Sequence, residues 1–153
     1  MTPAINLLKK KGIKFDVLSY EHEPNQKQFG LEAVEKLNLP AAQVFKTLVV
    51  EDNTQNLFVA VVPVSQQLNL KMLAKFAGVK KIEMAAQQAV EKSTGYILGG
   101  VSPLGQKKQL KTYIHTSAKS FESIYVSAGK RGLEIALNPK DLMTLTRGQY
   151  ANF

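Results

Sequence analysis

Apolar and polar positions change period repeatedly along the chain, and each change marks a short element. Thr2-Pro3 predicts an N-cap with proline in the first turn; Ile5, Leu7 and Leu8 carry the helix, and Gly12 closes it. Ile13 to Tyr20 reads as a first strand, and Gly30 to Asn38, with Leu31, Val34 and Leu37 at helical spacing, as a helix that stops before Pro40. QVFKTLVVED, from Gln43 to Asp52, is a strand because its β-branched and aromatic residues suit a half-buried pleat. The polar segment DNTQN joins it to the apolar run Leu57 to Val62, which predicts a hairpin. Asn69 to Ala77 is a capped helix ending at Gly78, Lys81 to Ala85 a short strand, and Ala86 to Ser93 a helix. Leu110 to Thr116, Ser123 to Gly129 and Gly132 to Leu137 are further strands, and Asn138-Pro139 opens a last helix that Gly148 ends.

Consecutive strands interrupted by helices, without strict βαβ alternation, predict an α+β fold with a mixed sheet. Six or seven strands on so short a chain favour a barrel-like core with surrounding helices, since closure hides sheet edges. No repeat, low-complexity tract or linker divides the chain, so residues 1–153 form a single domain.

Twenty Lys+Arg against twelve Asp+Glu, a formal net charge of +8, add a preference for an anionic partner: nucleic acid, nucleotide or membrane surface. Part of that charge has a structural explanation, because Lys9, Lys10 and Lys11 fall where a helix C-terminus favours cations. The absence of cysteine excludes disulfides, thiolate nucleophiles and Cys-ligated zinc, and fits a cytoplasmic protein. The N-terminal lysines follow a brief apolar stretch, the reverse of a secretory signal, and the uncharged run from Asn56 to Leu70 contains Pro63 and is shorter than the roughly 20 residues of a spanning helix. A soluble protein without membrane association is expected.

His22 and His115 are the only histidines, and neither sits in a metal-ligand spacing, so neither a metal nor another cofactor is expected; His22, beside Tyr20, is a candidate for a pocket mouth. No serine elbow or triad can be assigned. In STGYILGGVSPLGQKK, from Ser93 to Lys108, Gly100 and Gly105 have the spacing of a phosphate-binding loop, but Gln106-Lys107 replaces the required Lys-Ser/Thr, which rules out that NTPase motif. The glycines still allow either tight turns or a close approach of backbone N–H groups to a ligand. Lys130 and Arg131, between two glycines at a strand end, fit either a hairpin turn or phosphate contact. Lys46 is the anomaly of its strand. Alternation puts it on one face with Val44, Leu48 and Val50, where it is either a snorkelling side chain or a partly desolvated pocket cation.

FKT at 45–47, STGYILGGVSPLGQKK at 93–108 and YVSAGKRGLE at 125–134, following TPAINLLKK at the N-terminus, resemble the YbaK/EbsC family over essentially the whole chain. The resemblance implies a mixed barrel whose pocket receives the aminoacylated 3′ end of tRNA(Pro). It implies an editing hydrolase that removes cysteine wrongly attached by prolyl-tRNA synthetase and works in a transient complex with that synthetase. The same resemblance makes Lys46 the principal functional residue and puts Tyr20, Phe29, Thr47, Gly100 and Ser127 around the pocket. Under it, Lys46 anchors phosphate or polar substrate groups, N–H groups around Gly100 meet the developing oxyanion, Tyr20 and Phe29 supply aromatic surface, and Ser127 orients the aminoacyl group. The competing readings are an editing deacylase of other specificity, such as Ala-tRNA(Pro), and a basic tRNA-binding module without catalysis.

Overall fold

The computed structural model describes residues 1–26 and 29–153, the side chain of Phe29 excepted. Along the chain run α1 (Pro3–Lys10), β1 (Phe15–Ser19), α2 (Phe29–Leu37), β2 (Phe45–Asp52), β3 (Leu57–Pro63), α3 (Leu70–Ala77), β4 (Ile82–Met84), α4 (Gln87–Thr94), β5 (Lys111–His115), β6 (Ile124–Lys130), β7 (Leu133–Leu137), α5 (Pro139–Thr146) and β8 (Gln149–Ala151), with a 3-10 turn at Thr116–Ser120. The caps are those the sequence provides: Thr2 Oγ1 accepts from the Ile5 N–H at 3.3 Å, Asn69 Oδ1 from Met72 at 3.1 Å and Asn138 Oδ1 from Lys140 at 2.8 Å.

The α+β class with a mixed sheet holds, but the strands form two sheets and no closed barrel. One has the order β1-β7-β6 and the other β4-β2-β3-β5-β8, in which β3, β5 and β8 run parallel. Among the described residues one β-bridge joins the sheets, Val44 to Tyr125, where the Tyr125 N–H donates to Gln43 O. Beyond it β2 and β6 part, because the pairing of β6 with β7 slips between Ser127 and Lys130 and β2 turns toward β4.

Strand β8 is an addition to the six or seven expected. Only three of its residues pair, too few to leave an alternating pattern, and Arg147 rather than Gly148 takes the left-handed conformation that ends α5. Pro63 closes β3 opposite Phe45, a non-hydrogen-bonded position that tolerates the missing N–H.

Alternation along β2 and β3 sorts two cores. Phe45, Val49, Val59 and Val61 join Ile124, Val126, Ile135 and Leu137 of the other sheet and Ala4, Ile5 and Leu8 of α1. Val50, Phe58, Ala60 and Val62 pack with Leu73 and Ala74 of α3. The hairpin between β2 and β3 is held by Asp52, whose carboxylate accepts from Thr54 N, Thr54 Oγ1, Asn56 N and Asn56 Nδ2 at 2.8 to 3.1 Å.

Candidate functional site

A cavity of about 530 Å³, large enough for a nucleoside-sized ligand, opens where the two sheets part. Phe45, Lys46, Thr47, Leu48 and Val49 all line it. Side chains on a strand alternate faces, so five successive residues can border one cavity only if it runs along the strand's edge. Tyr20, Ser127, Lys130, Arg131 and Glu134 from the smaller sheet and its turns, Gly30 and Leu31 from α2, and Leu98, Gly99 and Val101 from the glycine-rich loop also contribute to the wall.

Lys46 lines this cavity half-buried, and burial holds its ammonium below the usual lysine range. No ion pair reaches it among the described residues. Thr47 Oγ1 is buried and has no hydrogen-bond partner among the described residues. Tyr20 enters from the end of β1, its N–H donating to Gly132 O at 2.9 Å; burial, with the Glu134 carboxylate adding to it, pushes its phenol up to about 12.

The sequence-identified residues converge unevenly. Tyr20, Lys46, Thr47, Ser127, Lys130 and Arg131 all line the cavity. Phe29 begins α2, but its side chain lies outside the described residues. Gly100 is buried behind the wall, and its neighbour Gly99 takes the lining position. The Gly100 N–H donates to Ile97 O at 2.9 Å, and a Cβ on it would stand 3.3 Å from the Arg131 backbone N. The missing side chain thus lets the loop lie against the Lys130–Gly132 turn, where Arg131 Nη2 donates to Leu98 O at 2.9 Å. His22 is not part of the wall; its Nδ1 lies 2.5 Å from Glu32 Oε1. His115 caps the 3-10 turn through Ser117 and packs edge-on against Phe153.

Glu134 was not singled out from the sequence. It is 7% exposed, lines the cavity and sits directly opposite Ser127 in the β6–β7 pair. Burial pushes its carboxyl up to about 8, so it is neutral at pH 7. The available signal was the one that exposed Lys46: a charge inside an apolar strand, here between Leu133 and Ile135. No cluster of three metal-ligating side chains occurs among the described residues, and no helix there is long and apolar enough to cross a membrane.

The wall therefore offers a lysine without a carboxylate partner among the described residues, a neutral carboxyl, a phenol, hydroxyls and two rim cations, a set suited to a polar, anionic ligand with an apolar portion. Comparison with known proteins gives the family. A family model described as an aminoacyl-tRNA editing domain matches residues 23–145. A protein of Enterococcus faecalis (strain ATCC 700802 / V583) named "Putative Cys-tRNA(Pro)/Cys-tRNA(Cys) deacylase EbsC" is 45% identical over 133 residues, covering 86% of this chain and 81% of its own. Among solved structures, "hypothetical protein APE2540" superposes with a TM-score of 0.86 at 23% identity, over 98% of this chain and 97% of that one. A protein described as "a putative trans-editing enzyme for prolyl tRNA synthetase" superposes with a TM-score of 0.82 at 22% identity, over 98% and 93%.

Proposed function

Because the chain belongs to the aminoacyl-tRNA editing domain family, we propose that it is an aminoacyl-tRNA deacylase that clears cysteine from mischarged tRNA(Pro). The observation that carries this reading is Lys46, a half-buried cation with no acidic partner among the described residues, lining a cavity at the split between the sheets. Such a charge is costly without a ligand and favourable with an anionic one.

In this reading the terminal phosphate or polar ribose groups of the tRNA pair with Lys46, and Lys130 and Arg131 at the rim meet the backbone leading to them. Tyr20 presents aromatic surface, and Ser127 orients the aminoacyl group. The nucleophile comes from the substrate. The cysteine sulfur adds to its own ester carbonyl, the bond to the ribose oxygen breaks, and that oxygen takes the proton the thiol gave up; the products are free tRNA and a cyclic thiolactone that water later opens. The protein supplies position and electrostatic stabilisation, which agrees with the lack of an assignable triad.

Encounter with substrate is expected in the cytoplasm and in a transient complex with prolyl-tRNA synthetase, where tethering raises effective concentration. The test is deacylation of tRNA(Pro) charged in turn with cysteine, alanine, serine and proline, under single turnover. Rapid loss of cysteine alone supports the reading. Preference for alanine reassigns the specificity, and salt-sensitive tRNA binding without release of any amino acid leaves a binding module.

A further inference from the structure

The reaction above develops negative charge on the ester carbonyl oxygen and needs a hydrogen-bond donor there. The Gly100 N–H is already donated to Ile97 O. The strand carrying Lys46 offers another.

In an antiparallel pair, alternate residues point both backbone groups at the partner and the rest point theirs at the opposite edge. Val64 N donates to Val44 O, which fixes the parity: Val44, Lys46, Leu48 and Val50 bond to β3. Phe45, Thr47 and Val49 therefore direct their peptide groups to the other edge. That edge is occupied at both ends. Gln43 O accepts from Tyr125 N at 3.1 Å, and Val49 O accepts from Ala85 N at 3.1 Å, beyond which β4 pairs from Val50 to Asp52. Between these points, among the described residues, no strand is paired with this edge of β2, and the cavity borders it. The Thr47 peptide N–H sits at the middle of this interrupted ladder, in the residue whose hydroxyl is buried without a partner among the described residues. A buried hydroxyl left unbonded costs about 1–3 kcal/mol, which a ligand in the cavity would recover.

Building on the deacylase reading, we infer that the Thr47 peptide N–H, presented by the interrupted edge of β2, is the oxyanion donor of this site, with the Thr47 hydroxyl as its companion. When the substrate sulfur adds to the carbonyl carbon, the carbonyl π pair moves to oxygen and is held by these donors. It returns to re-form the carbonyl as the carbon–oxygen bond to ribose breaks, with the proton passing from the thiol to the departing ribose oxygen. The donor belongs to the same strand as Lys46, so the groups that hold the tRNA end and its carbonyl are fixed relative to each other by one rigid element.

The experiment replaces the Thr47 N–H by oxygen, incorporating the α-hydroxy analogue of threonine, and compares it with the same exchange at Val50, whose N–H is spent on β3 and which does not line the cavity. With Cys-tRNA(Pro), the Thr47 ester is expected to lose about 100-fold in kcat, with KM within threefold and little change in melting temperature. The Val50 ester is expected to melt earlier and keep its kcat. Thr47→Val, which keeps the shape, is expected to lower kcat about tenfold without loss of stability. A Thr47 ester with kcat within threefold of wild type overturns the inference. So does one that melts as early as the Val50 ester or does not fold, since its N–H then belongs to the ladder. Wild type that releases no amino acid from any charged tRNA overturns the deacylase reading itself, a result read before either ester is compared.

Discussion

Ser127 on β6 and Glu134 on β7 are directly opposed partners, and both line the cavity that Lys46 borders. Ser127 Oγ accepts from the Gly129 N–H at 3.0 Å, so the pair marks the last regular rung before β6 slips out of register. The smaller sheet thus turns a hydroxyl and a neutral carboxyl toward the cavity just where it leaves its neighbour.

Glu134 makes stability depend on pH. Its folded value of about 8 lies above the ordinary 4.5, so between these limits the native protein keeps a proton that the unfolded chain has released. Its contribution is fully present below about pH 4.5 and is lost as pH rises to about 8. Denaturant unfolding at pH 5 and pH 8 is expected to show a loss on the order of 4 kcal/mol in wild type that Glu134→Gln lacks. Equal pH slopes in the two proteins would contradict the neutral assignment.

Glu32 has the opposite sign. Burial alone would raise its carboxyl, but hydrogen bonds from the Glu23 N–H and His22, with the Lys36 charge nearby, outweigh it and hold the group below the usual range. Its contribution is present above the unfolded value and lost as pH falls through the folded one. Glu32→Ala, which leaves the Glu23 N–H without that acceptor, is expected to cost about 3 kcal/mol at pH 7 and less at pH 3, read by denaturant midpoints.

Gly129 is a steric requirement of the site. Its φ is +100°, and a Cβ there would stand 2.4 Å from Cε1 of Tyr96, a ring held by the bond from its hydroxyl to Leu104 O at 2.6 Å. Gly129→Ala is expected to destabilise by more than about 2 kcal/mol and to lower activity, measured by melting temperature and tRNA deacylation.

Much of this was legible before any coordinates. Capped helices and alternating strands announced themselves through Thr2, Asn69 and Asn138 and through the apolar faces of β2 and β3. Lys46 stood out because a cation in an apolar strand is locally inconsistent, and such inconsistencies gather at functional sites. Whether the sheets closed could not be read, because it depends on one long-range bridge, Val44 to Tyr125, and on a slip of register inside β6. Neither leaves a periodic trace. The role of Gly100 was obscured for a related reason: composition shows that a backbone can approach something, and here that something is the Lys130–Arg131 backbone.

The mechanism predicts a substrate dependence separate from any mutation. Serine has the shape of cysteine but a poorer nucleophile at neutral pH, so Ser-tRNA(Pro) is expected to be deacylated at least about 100-fold more slowly by the wild-type protein. Comparable rates in a single-turnover assay would assign the attack to water.

The most direct test of the whole account is the single-turnover rate of Cys-tRNA(Pro) deacylation by Lys46→Ala beside wild type, with melting temperatures measured on the same samples. A loss of at least about 100-fold with melting temperatures within a few degrees is the expected result, since the side chain is half-buried and makes no ion pair among the described residues. A rate within threefold of wild type would contradict it, because the cation in the gap between the sheets would then have no part in the reaction.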